Sequence, residues 1–256
     1  MVLPLAKPRP LILLLVLCLG CTVPTRETDP LRDIRNTTVI PEVGSYDPAI
    51  QKQALQRIFL TLEQAPEITC NLLAATLRDP VVDDRTKLVI CWILASEEDP
   101  RAIPTLMELL GRVNEDPDQL IKDSLATFGS RIVSGVAQVL EGGSDLARLA
   151  AAEVLLEIAV PEAHAALVSR YPLEEAPQIR FLILCGAAED PSNDASEVLI
   201  SGLDDAERQN REIAWEALRR KIESPSLLRF DAGAGPEVRR SQVTELRRWL
   251  ASSRRL

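Results

Sequence analysis

Between Arg85 and Ala95 nearly every residue is apolar, which predicts a helix buried on most of its circumference. A polar break follows, Ser96-Glu97-Glu98-Asp99-Pro100. Ile103, Leu106, Met107 and Leu110 then fall at i, i+3, i+4 and i+7, the apolar stripe of a second helix. Val82 to Gly111 therefore reads as one helical hairpin. A lone hairpin has nothing to cover its outer apolar surface, and the chain supplies neighbours of similar make. A basic residue three positions before an apolar one opens a run at Arg85, Arg148, Arg180 and Arg211, with weaker copies at Gln51 and Lys122; the markers are spaced 34, 37, 26, 32 and 31 residues apart. The first helices are expected over Ala54–Leu62, Leu88–Ala95, Leu125–Phe128, Leu149–Val160, Ile179–Ala188 and Ile213–Ile222. Second, amphipathic stretches follow at Ile68–Leu77, Ile103–Leu110, Ile132–Leu140, Ala163–Val168, Val198–Leu203 and Leu227–Phe230. Pro and Gly punctuate the breaks, as at Pro66, Pro80, Pro100, Gly129, Pro161 and Pro191.

The phrase Asp99-Pro100-Arg101-Ala102-Ile103-Pro104, placed after an apolar helix opened by Asp84-Arg85, resembles HEAT repeats, and most closely the short bacterial-type repeats also found in bilin lyases. The resemblance runs from about Asp47 to Leu250. The Trp, Gly and Tyr positions of tetratricopeptide arrays are missing. It implies an all-α fold, a right-handed α-solenoid of about six HEAT-like antiparallel helix pairs. Such an array stacks units that touch only their neighbours and is closed by polar ends. In Thr244–Leu256, Leu246, Trp249 and Leu250 would pack inward as a cap. The resemblance also gives Arg85, Arg148, Arg180 and Arg211 a structural role, as a ladder in which each guanidinium bonds an acid or carbonyl of an adjacent turn. A planar fork that holds two acceptors at once suits that task.

Composition agrees with helices: 46% of residues are apolar but only 4% aromatic, where strands would favour aromatic and β-branched side chains. Charge is uneven. Residues 22–207 carry 15 basic and 32 acidic side chains, residues 208–256 carry 12 basic and 6 acidic. An acidic body argues against nucleic acid as a partner. The basic end, with Arg239, Arg240, Arg247, Arg248, Arg254 and Arg255, is a candidate contact for anionic lipid or another polyanion.

The first residues have the parts of a secretory signal: basic Lys7 and Arg9, an apolar run from Leu11 to Leu19, then Gly20. The run is too short for a membrane span, which needs about 20 residues. Cys18-Leu19-Gly20-Cys21 resembles the lipobox of bacterial lipoproteins, with Cys18 standing where Leu or Val is usual. The resemblance implies cleavage before Cys21 and acylation of its thiol, each buried CH₂ contributing about 0.8 kcal/mol to anchoring. The expected division is a signal peptide over 1–20, the lipidated Cys21 with a flexible tether over 21–46, and a repeat domain over 47–256. A flexible tether of about 25 residues reaches about 25–30 Å. Thr22, rather than Asp, after the cysteine favours the outer membrane over the outer face of the cytoplasmic membrane. Asn36-Thr37-Thr38 matches a glycosylation acceptor by pattern alone.

No catalytic, cofactor or metal site is expected. Cys70, Cys91 and Cys185 lie in apolar runs and read as small buried hydrophobes, Cys70–Cys91 being the one pairing an oxidising compartment would permit. His164 is the only histidine and reads as a surface or edge residue. The acidic clusters Glu97-Glu98-Asp99, Glu115-Asp116-Asp118, Glu189-Asp190 and Asp204-Asp205 read as solvated turns and helix caps. The leading functional expectation is a non-enzymatic scaffold at the cell envelope that holds a protein or peptide partner. Two alternatives stand beside it: a bilin-lyase-like enzyme or chaperone for a cofactor-bearing protein, and an envelope protein whose basic tail touches lipid or polyanion.

Overall fold

Helix starts are written locally. Asp47, Asp83, Asp99, Ser144 and Ser192 each stand just before a helix, and each side chain accepts a backbone N–H of the first turn. Pro66, Pro161 and Pro177 open three others, and Pro48 the helix that Asp47 caps, at the position where a missing N–H costs nothing. The computed structural model describes residues 39–112, 119–222 and 229–253. Those residues are all-helical. They form α1 (Val39–Glu42), α2 (Pro48–Gln64), α3 (Pro66–Thr76), α4 (Asp84–Ser96), α5 (Ile103–Gly111), α6 (Gln119–Ala126), α7 (Val133–Gly142), α8 (Asp145–Ile158), α9 (Pro161–Arg170), α10 (Pro177–Glu189), α11 (Asn193–Gly202), α12 (Arg208–Lys221) and α13 (Pro236–Ser253), with short 3-10 turns at Pro100–Ala102, Gly129–Ile132 and Tyr171–Leu173.

Packing follows chain order. Every pair of elements in substantial contact lies within three positions of one another along the chain. The even-numbered helices form one series, α4 on α6, α6 on α8, α8 on α10 and α10 on α12. The odd-numbered helices form another, α5 on α7, α7 on α9 and α9 on α11. One continuous apolar core runs between the two series, from Val39 to Leu246. The opening hairpin behaves as its pattern predicts: in α4, Ile90, Cys91, Ile93 and Leu94 are fully buried, and α5 turns Leu106 and Leu110 inward. Gly202 lets three helices meet, since a Cβ there would come within 2.7 Å of Leu184 Cδ2 on α10 and 2.9 Å of Ala214 Cβ on α12.

Two expectations need correction. Leu227–Phe230 was expected as a second helix; residues 227 and 228 lie outside the described residues, and Arg229 and Phe230 are not helical. Phe230 instead packs its ring on Trp215, with centroids 5.7 Å apart. The flexible tether was expected to reach Tyr46, but the fold begins by Val39. Val39 and Val43 are buried to 1% and 0% exposure, α1 packs on α2 and α4, and Gln51 Nε2 donates to Val43 O at 2.9 Å. The pattern missed this because the anchoring run is short, Val39, half-buried Ile40 and Val43, and is interrupted by Pro41 and ended by Gly44. Gly44 is the tightest point. A Cβ there would collide with Thr86 Oγ1 and lie 3.0 Å from Thr86 Cα. Gly44→Val is therefore expected to destabilise the protein by about 1–3 kcal/mol through overpacking, read as an earlier midpoint in urea; an unchanged midpoint would mean that this segment is not part of the cooperative fold.

The expected signal peptide over 1–20 and the expected acylation site Cys21 lie outside the described residues, as do Asn36, Arg254 and Arg255. No helix among the described residues is long and apolar enough to cross a membrane.

Candidate functional site

Arg148, Arg180, Arg211 and Arg239 stand just after the turns that lead into α8, α10, α12 and α13. Four arginines repeat one geometry there. Arg148 Nη1 donates to Gly143 O at 3.4 Å, Arg180 Nη1 to Glu175 O at 3.0 Å, Arg211 Nη1 to Ala206 O at 2.7 Å and Arg239 Nη1 to Ala234 O at 2.7 Å. In each case the acceptor stands five residues earlier, in the turn that precedes the helix. The rest of each guanidinium reaches a neighbouring turn. Arg148 grips Glu174 with two nitrogens, at 3.1 and 3.3 Å. Arg180 Nε lies 2.8 Å from Asp205 Oδ2. Arg211 Nε donates to Ala232 O at 2.8 Å. Arg239 reaches back to Asp204 at 3.5 Å.

The acids that receive these arginines are shaped by their own turns. Glu174 Oε1 accepts the Ala176 N–H at 2.9 Å, and Asp205 Oδ1 accepts the Glu207 N–H at 2.8 Å. Each acid stands six residues before the arginine of its own unit, Glu174 before Arg180 and Asp205 before Arg211. Each is a hub. The Glu174 side chain is fully buried and also takes Arg170 at 3.3 Å. Asp205 accepts from Tyr171 Oη at 3.2 Å and from Asn210 Nδ2 at 3.2 Å. Burial alone would raise the Glu174 carboxyl, but the Ala176 amide and the Arg148 and Arg170 guanidinia together hold it below the usual range. Burial, and then the Asp205 carboxylate, push the Tyr171 hydroxyl up. Sequence reading named the arginines and missed Glu174 altogether; Asp205 was expected to be solvated and is buried at 7% exposure. The acid-x5-Arg spacing was the signal available.

Arg85 departs from the ladder. It is exposed, and its guanidinium stacks over the Tyr46 ring, 4.4 Å from the centroid. The acid six residues before it, Asp79, keeps the local turn by accepting the Val81 N–H at 2.9 Å. Arg239 departs from the other group: it was expected to be free for a polyanion, but its side chain is 12% exposed and engaged with Ala234 and Asp204. Arg240, Arg247 and Arg248 are exposed as expected. Lys122 is buried at 7% exposure and pairs with Glu153 at 2.6 Å, on a helix rather than a turn. In the next unit Gly142, six residues before Arg148, occupies the position that Glu174 and Asp205 hold before Arg180 and Arg211.

The remaining candidates resolve simply. Cys70 and Cys91 are both free and buried, and burial pushes the Cys91 thiol up to about 12; Cys185 is half-buried. His164, expected at the surface, is buried at 8% exposure. Asp99 caps its turn and pairs with Arg101, while Asp190 is buried and accepts the Ser192 N–H. Glu115, Asp116 and Asp118 lie outside the described residues. No group of acids, cysteines or histidine able to hold a metal ion occurs among the described residues. On the odd-numbered series, a shallow open groove of about 600 Å³ runs between α5 and α7, with Met107 and Val139 as apolar floor and Glu108 and Gln138 at its rim. Gly135 lines it; a Cβ there would rest 3.4 Å from Met107 Cε and nothing closer. The helix therefore carries glycine, at a cost of about 1 kcal/mol, where a larger residue would narrow the groove.

No protein-family model matches the chain, and no curated protein matches it.

Proposed function

We propose that the chain is a lipid-anchored, non-enzymatic binding scaffold of the cell envelope, built as a right-handed stack of HEAT-like helix pairs and tethered through Cys21. The stacked reading is supported by contacts confined to near neighbours in two parallel series, and by arginines that clasp one turn to the next. The binding reading is carried by one observation, the open groove between α5 and α7 with its apolar floor and unforced Gly135. A protein or peptide segment that lays an apolar side chain between Met107 and Val139 fits it. The anchor reading is carried by the lipobox-like Cys18-Leu19-Gly20-Cys21.

The test is saturable retention of a membrane partner by the full chain, compared with a Gly135→Arg variant. Arginine at 135 would fill the groove from its contact with Met107. Retention is expected to fall at least about tenfold, which is 1.4 kcal/mol, at an unchanged urea midpoint. Nothing saturable with the wild-type chain, or equal retention by both, contradicts the reading.

A second reading is favoured by α13. Arg240, Arg247 and Arg248 are all exposed on it, and positions 240 and 247 fall on one face, two turns apart. They would touch an anionic lipid or polyanion. Arg247→Glu with Arg248→Glu is expected to abolish binding to anionic vesicles that weakens with added salt; binding that survives the double substitution sinks this reading.

A further inference from the structure

Among the described residues, the large apolar side chains left exposed are Tyr46, Ile50, Leu60, Ile68, Val81, Leu173 and Val238. Five of the seven fall between residues 46 and 81, so exposure is concentrated at the N-terminal end of the fold. Three of them share one corner. Tyr46 is 85% and Val81 89% exposed. Arg85, four residues beyond Val81 and in the first turn of α4, stacks on the Tyr46 ring at 4.4 Å. Ile50 stands one turn beyond Tyr46, in the first turn of α2, at 42% exposure. The same corner is where the chain enters the fold: Val39 and Val43 are buried there, and Gly44 presses on Thr86.

We infer that this corner, Tyr46, Ile50 and Val81 with Arg85, rests on the bilayer surface to which Cys21 is anchored; the inference rests on the anchor reading above. Only seventeen residues separate Cys21 from Val39, so the end of the fold that holds Val39 and Tyr46 is the part of the described residues nearest the anchor along the chain. An amphipathic Tyr, two aliphatic side chains and a cation with an apolar stem are the groups that settle at the headgroup boundary. The acids of the corner are turned to other work. Asp47 accepts the Ala49 N–H, Asp79 the Val81 N–H and Asp83 the Thr86 N–H and hydroxyl, and the dipoles at the starts of α2 and α4 offset the charge of Asp47, Asp83 and the exposed Asp84. Arg85, exposed and stacked on the Tyr46 ring, is the cation of the corner that would meet lipid phosphates. The acidic body, repelled by an anionic leaflet, then points away from it.

The test is hydrogen exchange on the intact, acylated protein in phosphatidylethanolamine–phosphatidylglycerol vesicles and in detergent-free solution. Amides of 45–52 and 79–86 are expected to slow at least about tenfold on vesicles, equivalent to 1.4 kcal/mol of added protection, and to lose that protection in Tyr46→Ser with Val81→Ser. Both side chains are exposed, so that variant keeps the fold, which its urea midpoint checks. A chain whose mass shows acylated Cys21, and whose corner exchanges equally with and without vesicles, overturns the docking and leaves the anchor standing. An unacylated Cys21 overturns both. Protection that appears without vesicles on raising protein concentration assigns the corner to contact between copies and overturns the docking.

Discussion

Replacing Glu174 by alanine is expected to lower the unfolding free energy by about 2–4 kcal/mol. The side chain is fully buried and holds two guanidinia that are 17% and 15% exposed, those of Arg148 and Arg170, as well as the Ala176 amide. Its removal leaves two cations partly buried without their counter-charge, which is the costly way to break a buried pair. Water still reaches the arginines, and this keeps the expected loss below that of a fully buried triad. The interaction is a joint between units as well as a local contact, because Arg148 lies on α8 and Glu174 in the turn before α10. A double-mutant cycle with Arg148→Met should therefore return a coupling of about 1–3 kcal/mol. A loss below about 0.5 kcal/mol for Glu174→Ala would show that the clasp is solvated and inert.

The same residue sets a pH dependence. The Glu174 carboxyl is held below its ordinary value in the folded protein, and the unfolded value is about 4.3. A folded pKa below the unfolded one contributes stability that is complete above about pH 5 and is lost as pH falls through the folded pKa. The hydrogen bonds to Asp83 and the Arg101 guanidinium beside Asp99 outweigh burial, so both carboxyls are lowered as well and steepen the same acid limb. Glu174→Gln, which keeps an acceptor for the Ala176 amide but not the charge, should start lower at neutral pH and fall less on acidification. Parallel wild-type and variant curves between pH 6 and pH 3 would contradict the assignment.

Asp205→Ala carries the other large effect, about 3 kcal/mol. Four donors converge on this carboxylate: the Tyr171 hydroxyl, the Asn210 amide, the Arg180 guanidinium and the Glu207 N–H. Alanine leaves Tyr171 and Asn210, buried to 9% and 2% exposure, with unmet polar groups. Its neighbour is the control. Asp204 is 45% exposed and touches only Arg239, at 3.5 Å, so Asp204→Ala should cost at most about 0.5–1 kcal/mol. Equal midpoints for the two variants in urea would refute the claim that the turn is organised by one of the two acids.

That pair also marks what the sequence could disclose. The hairpin of α4 and α5 was legible because its signal is repeated many times over: a nearly all-apolar first helix, a stripe at 3.6-residue spacing, and Asp99-Pro100 between them. Helices α8, α10 and α12 were legible for the same reason. Asp204 and Asp205 differ in nothing a composition window measures. Only the turn decides which of them points inward, and the turn is fixed by the side chain's bond to the amide two residues on. Glu174 was hidden in the same way beside Glu175. Arg85 was read as a rung because it shares the register of Arg148, Arg180 and Arg211; register alone does not supply the acid in the next turn, and Arg85 took the Tyr46 ring instead. The helix at Val39–Glu42 was invisible because its information lies in the close approach of Gly44 to Thr86, 42 positions later in the chain. The groove was unreadable too, since Met107 and Val139 come from different helices and Gly135 looks like any tolerated helix glycine.

The arginines clasp one turn to the next, and in the proposed reading the groove and the N-terminal corner are what the fold would touch. All three bear on function only if the folded part is fixed to a membrane. The most direct measurement is the intact mass of the protein recovered from the membranes of cells that express the full 256-residue chain. The account predicts a chain that begins at Cys21 and carries a diacylglyceryl group, and a Cys21→Ser variant that is released in soluble form. A chain that still begins at Met1, or one cut elsewhere with no lipid mass and no change of compartment on substitution, would contradict it.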